Sequence, residues 1–135
     1  MLVSVSTALI RIHEAGLVHR DLHPGNIFIY YEDHETNYHG YQAQVGDLGL
    51  CIPADEKLSS KIYGNLPYVA PEVLQGKQQT KESDIYSFGI IMSVFASWQA
   101  AFEGLNNDCY LAYYICTDLR PEIPNETPEF WIHGS

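Results

Sequence analysis

The sequence predicts an α+β fold, mostly helical with one small β-hairpin, on three observations. Near the start, Leu2, Val5, Leu9 and Ile12 recur at helical spacing. Two β-rich runs, 27–31 and 41–45, flank a polar stretch. A strongly apolar segment, 84–98, follows Ser and Thr residues suited to capping a helix.

Each element then has its own reason. The first helix covers residues 2–14: Arg11 and Glu14 lie off its apolar face, His13 falls in the last turn, and Gly16 is placed to stop it. In the second β-rich run, Tyr41, Ala43 and Val45 alternate with Gln42 and Gln44, the period of a strand. With 27–31 it makes a hairpin whose long loop is 32–40. Residues 51–67 carry scattered Pro, Gly, Ser and Lys without period, and read as a long excursion loop of the kind that is often functional. Pro71 opens a short helix that ends near Gly76. Thr80 or Ser83 caps a helix over 84–98, apolar nearly all round and therefore expected to be buried. Asn106 or Asn107 caps a last helix through about Asp118, packed through Tyr110, Tyr113 and Tyr114, with Pro121 and Pro124 beyond it. Residues 125–135 read as irregular, and no repeat or domain boundary divides 1–135.

Composition narrows the function. The 135 residues are 46% hydrophobic and 18% charged, which suits a packed core and excludes a low-complexity chain. A net charge of −10 disfavours nucleic-acid backbones and anionic membranes as partners. The cysteines Cys51, Cys109 and Cys116 are odd in number and form no CxxC, so neither a disulfide framework nor a zinc ribbon is indicated. His13 and Glu14 begin an apparent HExxH, but the next histidine, His19, is two residues too late for one helical face. Residues 1–10 have no basic leader, and the apolar segment is too short to span a bilayer. The expected location is intracellular, in the cytoplasm.

Chemistry concentrates in residues 18–27. Asp21 is followed five residues later by Asn26, just before a strand. The hairpin returns Asp47 beside Asn26, so an amide oxygen and a carboxylate can hold a hard cation. Asp21 is left to meet a substrate proton.

These motifs resemble the C-terminal lobe of a eukaryotic protein kinase. His19-Arg20-Asp21 with Asn26 matches the HRD loop, Asp47-Leu48-Gly49 the DFG position, and Ala70-Pro71-Glu72 the APE motif, in the family's order and spacing. Residues 84–89 (DIYSFG) and 119–124 (LRPEIP) resemble the tyrosine-kinase-like group. The likeness covers roughly residues 2–124 and implies that 1–135 is a partial kinase domain, from the catalytic loop to the helix G region.

The resemblance implies roles residue by residue. Asp21 would accept the hydroxyl proton, and Asn26 and Asp47 would hold Mg²⁺. Phe28 would floor the adenine pocket of ATP, and Gly46, just before Asp47, holds a position that is small in many kinases and counts with the cofactor-binding residues. His19 would pack under the loop, and Arg20 would meet a phosphate in the activation segment, with Ser59 or Ser60 as its site. Glu72 would pair with Arg120, and Asp84 would accept catalytic-loop N–H groups. His23 stands where Ser/Thr kinases carry a phosphate-contacting Lys, Leu48 replaces the usual Phe, and Asn65 replaces a usual Thr. The Ala-Ala-Arg variant of tyrosine kinases is absent, so Ser/Thr hydroxyls of protein substrates are favoured.

No GxGxxG, Walker A or V-A-I-K stands in these residues, so the N-lobe is expected to be absent and the 135 residues alone to transfer no phosphate. Three functions stay open: the catalytic lobe of an ATP- and Mg-dependent protein kinase, a non-catalytic kinase-like module that docks partner proteins, or a truncated, non-functional fragment.

Overall fold

The computed structural model describes residues 2–33, 39–46, 52–53, 65–106 and 108–122. They form an α+β arrangement in which helices make up about half. The helices are α1 (Leu2–Glu14), α2 (Pro71–Leu74), α3 (Lys81–Ser97) and α4 (Cys109–Cys116), with short 3-10 turns at Pro24–Asn26 and Leu66–Tyr68. The strands form two antiparallel pairs: β1 (Leu17–Val18) with β4 (Ile52–Pro53), and β2 (Ile27–Asp33) with β3 (His39–Val45).

Helix α1 follows its apolar spacing. Val5 and Leu9 are buried and Leu2 and Ile12 half-buried. Gly16 closes the helix at φ +77°, its N–H donating to the His13 carbonyl at 3.0 Å. A side chain at that φ would be strained, which is why glycine stands there.

The hairpin is longer than the sequence predicts. Its register runs from Ile27 opposite Val45 to Asp33 opposite His39, so Glu32 and Gly40 pair inside the ladder. The apolar rungs fix the register, and the polar residues then continue the same backbone pairing. Within the expected excursion loop, Ile52–Pro53 pairs with β1 as a short strand.

Helix α3 starts three residues before the predicted Asp84. Thr80 is its cap, and Thr80 and Ser83 satisfy each other's backbone N–H groups at 3.2 and 2.8 Å. The expected all-round burial does not occur. Ile85 is 49% exposed and Trp98 88% exposed, while Ser83, Asp84, Ser87, Ile90 and Ile91 face inward. The inner face is polar at its first turns because those side chains hold neighbouring backbone.

Helix α4 is capped by Asp108, whose carboxylate accepts from Tyr110 and Leu111 N–H, and it ends at Cys116, before Asp118. Leu111 and Ile115 are buried, one turn apart. Tyr110, Tyr113 and Tyr114 face solvent, against the expectation that they pack.

Pro71 does open α2, and Gly76 at φ +93° follows it. Lys77 N–H reaches back to the Glu72 carbonyl and Gly76 N–H to that of Val73, both at 3.0 Å. The largest apolar cluster joins Val5 and Leu9 of α1, Leu22, Ile27 and Ala43 of the hairpin region, and Ile91 of α3. It pins residues 19–27 between two helices and a hairpin.

Candidate active site

Asp84, in the first turn of α3, is 2% exposed and carries three hydrogen bonds. Its Oδ2 accepts from His19 N–H at 2.7 Å and from His13 Nε2 at 2.9 Å, and its Oδ1 accepts from Arg20 N–H at 3.0 Å. A carboxylate taken out of water needs such partners. The bonds hold Arg20 at φ +77°, a left-handed conformation that L residues seldom adopt.

His19 is fully buried, and both ring nitrogens are engaged. Nδ1 accepts from Asp21 N–H at 3.1 Å, which leaves the ring proton on Nε2, donated to the Gly46 carbonyl at 3.0 Å. Gly46 N–H in turn donates to the Asn26 carbonyl at 2.8 Å. One ring and one strand end thus brace the Asp21 backbone against the residue that precedes Asp47.

Asn26 is 5% exposed. Its Nδ2 donates to the Asp21 carbonyl at 2.6 Å and lies 3.4 Å from Asp21 Oδ2. With the amino group spent on Asp21, the amide oxygen is the atom left for a cation, an oxygen donor as a hard ion requires. His23 caps the 3-10 turn by accepting from Gly25 N–H at 3.1 Å, and its Nε2 stands 3.6 Å from Asp21 Oδ1. Phe28 is 57% exposed, a flat apolar surface lying on Gly46. A Cβ at position 46 would sit 2.3 Å from the Phe28 ring, so glycine permits that approach.

Asp21, His23, Asn26, Phe28 and Gly46 therefore gather at one end of the hairpin, with His19, Arg20 and Asp84 beneath them. Asp47, Gly49, Ser59 and Ser60 lie outside the described residues. The expected ion pair between Glu72 and Arg120 is not formed. Arg120 Nη1 donates to the carbonyls of Ile115 and Leu119 at 2.9 and 2.7 Å, and Nη2 lies 3.6 Å from Asp118. The negative end of α4 is the nearer partner for a guanidinium.

Sequence reasoning missed three participants. His13 reaches Asp84 across 71 residues, and no local spacing signals it. Gln79 exchanges hydrogen bonds with Arg20 from a stretch without period. Tyr86, in α3, lies under the Arg120 guanidinium at 5.2 Å, and its hydroxyl is buried without a hydrogen-bond partner.

Burial pushes the Tyr86 hydroxyl above its ordinary value of 10.0; Arg120 pulls it down, and Glu72, Cys116 and Asp118 push it up. Burial raises Tyr68 as well. A phenol raised on folding keeps its proton in the native state after the unfolded chain has lost its own. Its contribution to stability is whole below the unfolded value and is lost as pH rises through the folded one. Tyr86→Phe removes the partnerless hydroxyl. It is expected to leave stability unchanged or raise it by up to about 1–3 kcal/mol at neutral pH, and to flatten the alkaline decline. Urea unfolding at neutral pH and near pH ~10.5, set just above the ordinary tyrosine range, measures both. A variant clearly less stable than wild type at neutral pH would show that the hydroxyl has a partner.

Beside His23 opens a cleft of about 560 Å³, lined by His23, Pro24, Pro67, Tyr68, Phe102 and Leu105 among others. Among the described residues no helix is long and apolar enough to cross a membrane.

A family model described as protein kinase domain matches residues 1–127. Serine/threonine-protein kinase mos of Patiria pectinifera is 28% identical over 134 residues, 94% of this chain and 36% of its own. A Dictyostelium discoideum protein named a probable serine/threonine-protein kinase is 30% identical over 130 residues, 95% of this chain and 8% of its own. The interferon-induced, double-stranded RNA-activated protein kinase of Mus musculus is 38% identical over 91 residues, 66% of this chain and 16% of its own. The chain thus spans little more than a third, at most, of these relatives' length.

Proposed function

Because the chain belongs to the protein kinase domain family, we propose that it is the C-terminal catalytic lobe of such an enzyme, closest in character to the tyrosine-kinase-like group, and that Asp21 takes the proton of a protein hydroxyl as that hydroxyl is phosphorylated. The observation that carries this reading is the fixed Asp21–Asn26 pair, with Nδ2 of Asn26 spanning the Asp21 carbonyl and carboxylate at 2.6 and 3.4 Å. Bound Mg·ATP supplies the phosphoryl group and the positive charge over its oxygens. The chain's own part is positioning. Asn26 offers its amide oxygen to the cation, together with Asp47, and Phe28 offers an apolar face to the adenine. Asp21 orients the hydroxyl and holds its proton. His23 beside it lines the cleft in which a substrate segment would lie. The relatives named as serine/threonine kinases support Ser/Thr acceptors.

Labelled phosphate transfer from ATP by the full-length protein, followed by phosphoamino-acid analysis, tests the reading. Mg-dependent label on Ser or Thr is expected; label on Tyr alone would reverse the acceptor assignment, and no transfer above an Asp21→Ala control would remove the catalytic one. The nucleotide site has a separate check. Gly46→Ala forces the Phe28 ring off its seat and should weaken Mg·ATP binding roughly tenfold, about the worth of one lost apolar contact. Titration calorimetry reads it, and unchanged Kd in both Gly46→Ala and Phe28→Ala would take Phe28 out of the site.

A further inference from the structure

We infer that Gln79 is a positioning residue for Asp21, because its single amide group clasps Arg20 by side chain and main chain at once. Gln79 Oε1 accepts from Arg20 Nε at 2.7 Å, and Gln79 Nε2 donates to the Arg20 carbonyl at 2.9 Å. The Arg20 carbonyl belongs to the peptide unit that leads into Asp21, so the clasp fixes the orientation of that unit. The other side of Arg20 is held by Asp84 through the Arg20 N–H. Two residues from α3 and its entry thus grip one residue of left-handed φ, and the next residue is Asp21.

Gln79 is well placed for this. It immediately precedes Thr80, whose reciprocal cap with Ser83 fixes the start of α3. Its backbone leaves a rigid helix end, and its side chain spans to Arg20, which is 8% exposed. The hold comes from a neutral amide, so it exists as soon as the chain folds and needs no added charge.

The inference rests on the reading of Asp21 as the proton acceptor, and the experiment separates the two. The full-length protein is compared with Gln79→Met, which keeps the shape without the hydrogen bonds. Gln79→Glu keeps the acceptor for Arg20 Nε but loses the donor to the Arg20 carbonyl. Hydrogen exchange over residues 18–24 reads the positioning without any turnover. In Gln79→Met, exchange there should rise roughly tenfold while α3 stays protected. The kcat should fall roughly 10- to 100-fold with KM for ATP within about twofold. Gln79→Glu should recover part of both effects. If exchange and kcat are unchanged in Gln79→Met while Asp21→Ala is inactive, the inference fails and the catalytic reading stands. If exchange rises but no form transfers phosphate, the clasp stands as structure and both the catalytic reading and the positioning role fail. A general loss of protection in Gln79→Met, with Gln79→Glu folded but fully active and protected as wild type, also overturns it.

Discussion

If Asp21 is the proton acceptor proposed above, Asp21→Ala is expected to lower kcat of the full-length protein by about 10²- to 10⁴-fold, the range for a positioned acid–base group, while leaving the fold nearly as stable. The structure separates the two effects. The strong bond to this residue is from Asn26 to its main-chain carbonyl, at 2.6 Å, and a substitution keeps it. Among the described residues the side chain itself makes only the longer approaches, 3.4 Å to Asn26 and 3.6 Å to His23. Truncating it therefore removes the carboxylate proposed to accept the proton and disturbs little of the packing. Urea unfolding should place the variant within about 1 kcal/mol of wild type, as for a substitution outside the core. A variant with full kcat would strip Asp21 of its role, and one with lost stability would mean that the carboxylate supports the fold.

The second large effect belongs to Asp84. Asp84→Ala leaves two buried backbone N–H groups and the His13 ring without their acceptor, a loss of the kind that costs about 3–5 kcal/mol when one partner of a buried pair is removed. That is a large part of the ~5–15 kcal/mol that holds a typical domain together. Asp84→Asn keeps one carbonyl oxygen but turns an NH₂ toward a donor, so its loss should fall between wild type and alanine, at about 1–3 kcal/mol. Denaturant unfolding of the three proteins gives the order. An alanine variant within ~1 kcal/mol of wild type would mean that water replaces the carboxylate and that the anchor is weaker than its geometry.

Much of this arrangement is legible in the amino-acid order. The spacing of Val5 and Leu9 with Gly16 gives α1, alternation gives the hairpin, and Pro71 and Gly76 bracket α2. The HRD-to-Asn spacing brings Asp21 and Asn26 to one loop. What was not legible has physical causes. Period tells which side chains share a helical face but not what covers that face, so Tyr110, Tyr113 and Tyr114 read as packing residues and stand in water. In α3 the small polar residues Ser83 and Ser87 point inward because a backbone carbonyl there needs a donor: the Ser87 hydroxyl donates to the Tyr68 carbonyl at 2.6 Å. A guanidinium chooses the acceptors that come within reach, and for Arg120 those are the Ile115 carbonyl in the last turn of α4 and the carbonyl of the preceding Leu119. His13 acts through a long-range bond to Asp84 and Gln79 through two to Arg20, and such bonds leave no pattern in the sequence around them.

The bond from His19 to Asp84 joins positions 65 apart in the chain, which sets a timetable during synthesis. At roughly 5–20 residues per second, the ribosome makes His19 about 3–13 s before it makes the carboxylate that will anchor it. For that interval the segment has α1 before it and the hairpin after it, but not the Asp84 carboxylate that accepts from the Arg20 N–H. The loop that carries Asp21 can therefore take its anchored form only after the first turn of α3 has been made, however early its own residues emerge.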